Sequence, residues 1–240
     1  MSVTSPGDAP DIDAAPDGRA TRWADHRAAR RDELVRAARR AVHHRGPDLS
    51  MDDLATEIGT SKSILYRYFV DKTGLQVAVG QAVLGRMRDA LEEAAARAGG
   101  PRERISAMVG VYLEMVDASP HVYAFVTRPE ATAGEVRGFV AEVADLVAEA
   151  VLPALRGEDR DAGPVEESTL VAARLWAAGV VGLVRGAVDL WLGDRPDEAD
   201  AADARGVGRV PRQALAMHLS DWLWDGAVGV LRRARQSRGG

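Results

Sequence analysis

The sequence predicts an all-α protein of about nine helices, and three observations carry that prediction. From Leu34 onward apolar residues recur at helical spacing, with no convincing alternating strand pattern. The helical runs are separated by punctuation such as Gly46-Pro47-Asp48 and Gly99-Gly100-Pro101. Residues 50–69 read as two short helices joined by a tight glycine-containing turn.

Taken in order, residues 1–18 carry Asp8, Asp11, Asp13 and Asp17, three prolines and no base, the composition of a disordered acidic tail rather than of a charged-then-apolar signal. Leu34, Ala37, Ala38, Ala41 and Val42 then mark one face of a first helix ending near Gly46. Ser50 with Asp53 three residues on forms a capping-box pattern, and Met51, Leu54, Ala55 and Ile58 give the second helix one apolar stripe. Gly59 can end that helix in the left-handed conformation, and Ser61 can cap the third. A turn of this kind between two short helices is the arrangement whose second helix enters a DNA major groove.

The remaining helices follow from the same period. Leu75, Val79, Val83, Met87 and Leu91 mark a fourth, and Ile105, Met108, Val109, Tyr112 and Val116 a fifth. Ser119-Pro120 predicts a cap and first position for a short sixth. Thr132 with Glu135 repeats the capping-box pattern at the head of a seventh. Residues 165–192 and 211–234 predict two long helices separated by GDRPDEADAADARGVGR, which reads as a mobile, solvated linker. Interior glycines at 179, 182 and 186 each cost about 0.5–1 kcal/mol relative to alanine, a cost that close helix-to-helix approach would offset.

Charge distribution separates the chain into two parts. The whole carries −5, yet residues 19–75 hold 12 Lys/Arg against 8 Asp/Glu, a basic module on an acidic remainder. Both lysines of the chain, Lys62 and Lys72, fall in this module, beside Ser63, Tyr66, Arg67 and Tyr68 on or next to the third helix. The arginines of the first helix, Arg39 among them, read as its solvated face as readily as phosphate contacts. No cysteine is present, which excludes disulfide and thiolate chemistry, and no phosphate loop, nucleophile elbow or zinc-protease motif occurs. The five histidines have no ligand spacing, so neither metal nor cofactor is expected, and no enzymatic activity. The apolar run LWAAGVVGLV spans ten residues between Arg174 and Arg185, short of the roughly 20 needed to cross a bilayer.

The residues Gly46, Ser50, Leu54-Ala55, Gly59-Thr60-Ser61, Leu65-Tyr66-Arg67-Tyr68-Phe69 and Lys72 to Leu75 together resemble the TetR family of bacterial transcriptional regulators over residues 25–80. Two departures stand out: the GPDLS link is about one residue shorter than the commonest form, and Thr73-Gly74 replaces a frequent Glu-Glu, weakening a helix start. The resemblance implies a cytoplasmic homodimer with three parts: the tail (1–18), a helix-turn-helix DNA-binding domain (19–75) and an effector-binding, dimerising domain (76–240). It implies repression relieved by a small lipophilic ligand at a two-fold DNA operator, with activation as the alternative sign. Lys62 and Ser63 would meet base edges, while Ser50, Tyr66, Tyr68 and Lys72, with Ser61 and Arg67 on the same small element, would hold phosphates.

In that family the body encloses a small-molecule pocket, for which the polar or soft residues on apolar faces are Met108, Tyr112, Met115 and Tyr123, then Phe125, Arg128, Trp176 and Arg185. An ion pair with Asp189 one turn along is the competing account of Arg185. The last two helices would form a dimer bundle through Gly179, Gly182 and Gly186 and through Leu215, Leu219, Trp222 and Leu223, against an ordinary intrachain core as the alternative. Two rival functions remain at this stage: a regulator needing no effector, and a helical lipid carrier or enzyme with an incidental basic face.

Overall fold

A computed structural model describes residues 18–127, 129–156, 167–193 and 210–236. The acidic run before Gly18, Arg128 and the linker after Gly193 lie outside the described residues. Among those described there are nine helices and no strand: α1 (Gly18–Arg45), α2 (Met51–Ile58), α3 (Lys62–Phe69), α4 (Lys72–Arg97), α5 (Pro101–Ala118), α6 (Pro120–Val126), α7 (Pro129–Arg156), α8 (Glu167–Gly193) and α9 (Arg212–Gln236).

Two boundaries differ from the sequence expectation. Helix α1 begins four turns before Leu34, in a stretch rich in alanine and arginine whose side chains from Arg22 to Ala29 stay exposed, so intrinsic propensity rather than an apolar stripe carries it. Helix α7 begins at Pro129, which places Thr132 inside the helix instead of at its cap. Proline suits a first helical position because its missing N–H has no intrahelical partner there.

The described residues bury two apolar clusters. The head cluster joins Leu34, Ala38 and Val42 of α1, Leu54 of α2, Leu65 and Phe69 of α3, and Leu75 and Val79 of α4. It also takes in Val122, Phe125 and Val126 of α6. The body cluster contains Met87 and Leu91 of α4 together with residues of α5, α7, α8 and α9. Helix α4 therefore serves both clusters, and the expected division at residue 75 falls inside one continuous helix. Within the head the buried Gln76 amide donates to the Phe125 carbonyl, joining α4 to α6, and Ser119 Oγ lies 3.0 Å from His43 Nδ1, joining the α5–α6 junction to α1. Ser119 thus spends its hydroxyl on α1 and makes no side-chain cap for α6.

Helix α8 is long and apolar enough, by length and composition, to span a bilayer. One face of it, from Thr169 through Ala173, Ala177, Val180, Val184 and Val188 to Trp191, is buried against the body, and the helix carries Arg174, Arg185 and Asp189. Its other face exposes Val171, Leu175, Leu183 and Leu190.

Candidate nucleic-acid interface and ligand cavity

The helix-turn-helix is held by local hydrogen bonds. Ser50 Oγ accepts from the Asp53 amide at 3.2 Å while the Asp53 carboxylate accepts from both the Ser50 amide (2.9 Å) and the Ser50 hydroxyl (2.6 Å). These bonds hold the Asp53 carboxyl below its ordinary pKa. Gly59 closes α2 at φ 72°, ψ 39°, with Thr60 N–H returning to the Ala55 carbonyl, and Ser61 Oγ accepts from Ile64 N–H at the start of α3. Leu54 and Leu65 anchor the two helices in the head core.

That anchoring leaves Lys62, Ser63, Tyr66 and Arg67 on the exposed face of α3. Ser50 and Ser61 are also exposed, with their hydroxyls engaged in capping, and Tyr68 and Lys72 are half-buried. Lys62 Nζ lies 2.7 Å from Asp52 Oδ2 on α2, a contact that raises the ammonium's pKa, and 6.0 Å from the Tyr66 ring centre. The sequence reading missed Asp52, ten positions before Lys62 in the first turn of α2, as its partner.

The link from α3 to α4 is unusual. Val70 has φ 66°, ψ −54°, and Asp71 N–H bonds the Phe69 carbonyl at 2.7 Å, the geometry of a γ-turn with positive φ. Asp71 Oδ1 then accepts from Gly74 N–H at 2.7 Å and caps α4. A Cβ at position 74 would stand 2.0 Å from the Phe69 carbonyl oxygen, so glycine here permits the close approach. The expected weakening of this helix start is thus offset by a side-chain cap.

A cavity of about 260 Å³ lies between head and body. Its wall is chiefly valine, leucine and methionine from α4 to α9, and Met108, Tyr112, Met115, Tyr123 and Arg185 are part of it. Tyr123 Oη donates to Asp189 Oδ1 at 2.6 Å, and burial pushes the Tyr112 and Tyr123 phenols above their ordinary pKa. Arg185 Nε is 3.9 Å from Asp189, a loose pair.

Three expectations are corrected. Phe125, 1% exposed, packs in the head core and does not line the cavity. Trp176 packs between α8 and α9, with its Nε1 3.2 Å from where a Cβ on Gly226 would stand. Leu219 (0% exposed) and Leu223 (3%) are buried in the chain's own body core, with Leu215 packed beside them, whereas Trp222 is 60% exposed. Gly179, Gly182 and Gly186 face outward, with nothing of the same chain within 4 Å of an added Cβ, so no intrachain approach accounts for them. The cavity also includes Arg39 of α1, which the sequence left open between a solvated face and a phosphate contact, and Arg86 of α4, which the sequence reading did not single out.

Comparison with known proteins completes the picture. Residues 34–79 match the bacterial regulatory proteins of the tetR family, and residues 86–239 match the tetracyclin repressor-like C-terminal domain. An uncharacterized HTH-type transcriptional regulator of Mycobacterium tuberculosis is 34% identical over 191 residues, 77% of each chain. The HTH-type transcriptional activator FasR of Mycolicibacterium smegmatis is 27% identical over 73% of this chain and 78% of its own. The fatty acid degradation regulator FadR from Bacillus halodurans shares the fold, with a TM-score of 0.59 at 18% identity over 80% of this chain and 93% of that one. With its head and its body both matched, and with the capped turn and outward-facing α3 that such a match requires, this chain belongs to the TetR family of DNA-binding transcriptional regulators.

Proposed function

We infer that the chain works in the cytoplasm as a homodimeric repressor that leaves a two-fold operator when a small lipophilic molecule occupies its body. In this reading residues 19–75 form the DNA-binding domain and residues 76–240 the effector-binding and dimerising domain. The observation that carries it is the position of the cavity: an apolar space of about 260 Å³ whose wall includes α1 and α4, the helices that also build the head core. A molecule filling that space changes the packing on which the placement of α3 depends, and it shifts operator affinity by its differential affinity for the two arrangements.

Lys62 and Ser63 are the base-reading groups, Tyr66, Arg67 and Lys72 the phosphate contacts, and Ser50, Ser61 and Tyr68 chiefly hold the motif in shape. The dimer forms through the outward face of α8, where Val171, Leu175, Leu183 and Leu190 stand exposed around the three glycines, together with Met217 and Trp222 of α9. Exposed apolar groups in this number on a packed helix call for a second surface. A two-fold pairing there sets the spacing of the two copies of α3.

The experiment is binding-site selection with the full chain, followed by run-off transcription from a promoter carrying the selected site. A two-fold consensus and transcription that rises when a lipophilic compound displaces the protein are the expected results. Transcription that falls on displacement makes the protein an activator, the sign carried by the name of its relative FasR. A compound library that never alters operator affinity refutes the effector reading.

A further inference from the structure

Three arginines line the cavity, and they differ in how their charge is met. Arg185 has Asp189 on its own helix. Arg39 and Arg86 have no acidic partner among the described residues, although other arginines of the body do: Arg88 pairs with Glu142, Arg102 with Asp221 and Arg174 with Asp145. The two unpaired guanidiniums come from different elements, α1 and α4, and converge closely enough to repel one another. Burial first, then Arg86, then Arg40, holds the Arg39 guanidinium below its ordinary pKa. Arg39 is half-buried and Arg86 exposed, so both are still met by water, and an anion between them would relieve their mutual repulsion.

We propose that Arg39 and Arg86 form an anion subsite at the head side of the cavity, and that the effector is a single-tailed amphiphile whose carboxylate or phosphate they clasp while its alkyl chain lies among the valines and methionines of the body. The proposal rests on the effector reading above and adds to it a ligand class and a point of coupling. Arg39 stands one helical turn before His43, whose ring meets Ser119 at the junction of α5 and α6, another residue of the cavity wall. Arg39 moves with the head, because Ala38 and Val42 beside it are head-core residues, whereas Arg86 adjoins Met87 of the body core. An anion held by both fixes the angle between the two parts, which is how a ligand that never touches DNA alters the presentation of α3.

The test uses the full-length protein and three probes with the same tail: decanoate, decyl phosphate and decanol, titrated by calorimetry. Charge-assisted contacts should make the better anion about 10-fold to 100-fold tighter than decanol in the parent protein, and whichever of carboxylate and phosphate leads names the head group. Arg39→Gln and Arg86→Gln should each bring the anion-to-alcohol ratio close to one, and Arg39→Lys should restore much of it. Equal affinity of all three probes overturns the anion subsite while leaving the cavity as a ligand site. Failure of all three to bind overturns both readings. A ratio that survives Arg39→Gln and Arg86→Gln in folded protein refutes the assignment to these two residues.

Discussion

Leu175 offers the sharpest test of assembly. It is 71% exposed in the single chain, on the outward apolar face of α8. Fully burying a leucine side chain contributes about 1.5–3 kcal/mol, so the part still open at Leu175 is worth about 1–2 kcal/mol per copy and about 2–4 kcal/mol in a two-fold dimer. Leu175→Glu removes that gain and adds the cost of desolvating a carboxylate. The expected outcome is a loss of dimer affinity of about 30-fold to 1,000-fold, read by sedimentation velocity over a concentration series. The separated chain should keep its helical circular dichroism, because nothing in its own core touches position 175. The same charge at Leu219 behaves differently: that side chain is fully buried inside the chain, so Leu219→Asp should unfold it and reports nothing about the dimer. A Leu175→Glu protein with unchanged sedimentation at low concentration would remove α8 from the interface.

Three further outcomes follow from the head and the cavity. Asp52→Asn should free Lys62 for its base edge and raise the ratio of operator to random-DNA affinity by up to about 5-fold, since an exposed ion pair holds back no more than about 1 kcal/mol; an unchanged ratio would show that Lys62 reads no base. Gly74→Ala should lower stability by about 1–3 kcal/mol because the new Cβ meets the Phe69 carbonyl, whereas Val70→Gly should raise it by about 1 kcal/mol by relieving a β-branched residue at positive φ; denaturant titration checks both signs. Arg185→Ala breaks only a loose, half-exposed pair and should cost no more than about 1 kcal/mol in the same titration, so a large loss would assign Arg185 to the core rather than to the ligand.

How much of this was legible depended on the range of the interactions. The helix-turn-helix could be read in detail because Ser50 with Asp53, Gly59 with Ala55, and Ser61 with Ile64 act across a few residues, so side-chain identity and spacing state the contact directly. The start of α1 could not be placed by periodicity, since residues 22–33 bury almost nothing. The capping pattern at Thr132 and Glu135 competed with Pro129 and lost, because a proline three residues upstream already satisfies the first turn. At Phe125, Leu219 and Leu223 the period gave an apolar face correctly but was silent on which surface covers it.

Arg39 and Arg86 mark the limit most clearly, since 47 positions separate them and only the packing of α1 against α4 brings both to one cavity. The same packing explains why a boundary at residue 75 could not be a mechanical joint. Helix α4 carries Leu75 and Val79 in one core and Met87 and Leu91 in the other, and its 26 residues make a rod of about 39 Å. The cavity meets α4 between Gly80 and Leu91, about 12–29 Å from Lys72, so a tilt of about 5° there moves the head end of the helix by about 1–2.5 Å, while a hydrogen bond to a base edge tolerates only a few tenths of an ångström. A ligand therefore needs to do little more than reset one interhelical angle. In the proposed mechanism, the unbroken α4 that joins head and body, and that obscures the domain boundary in the sequence, carries a small change in the cavity to Lys62 and Ser63.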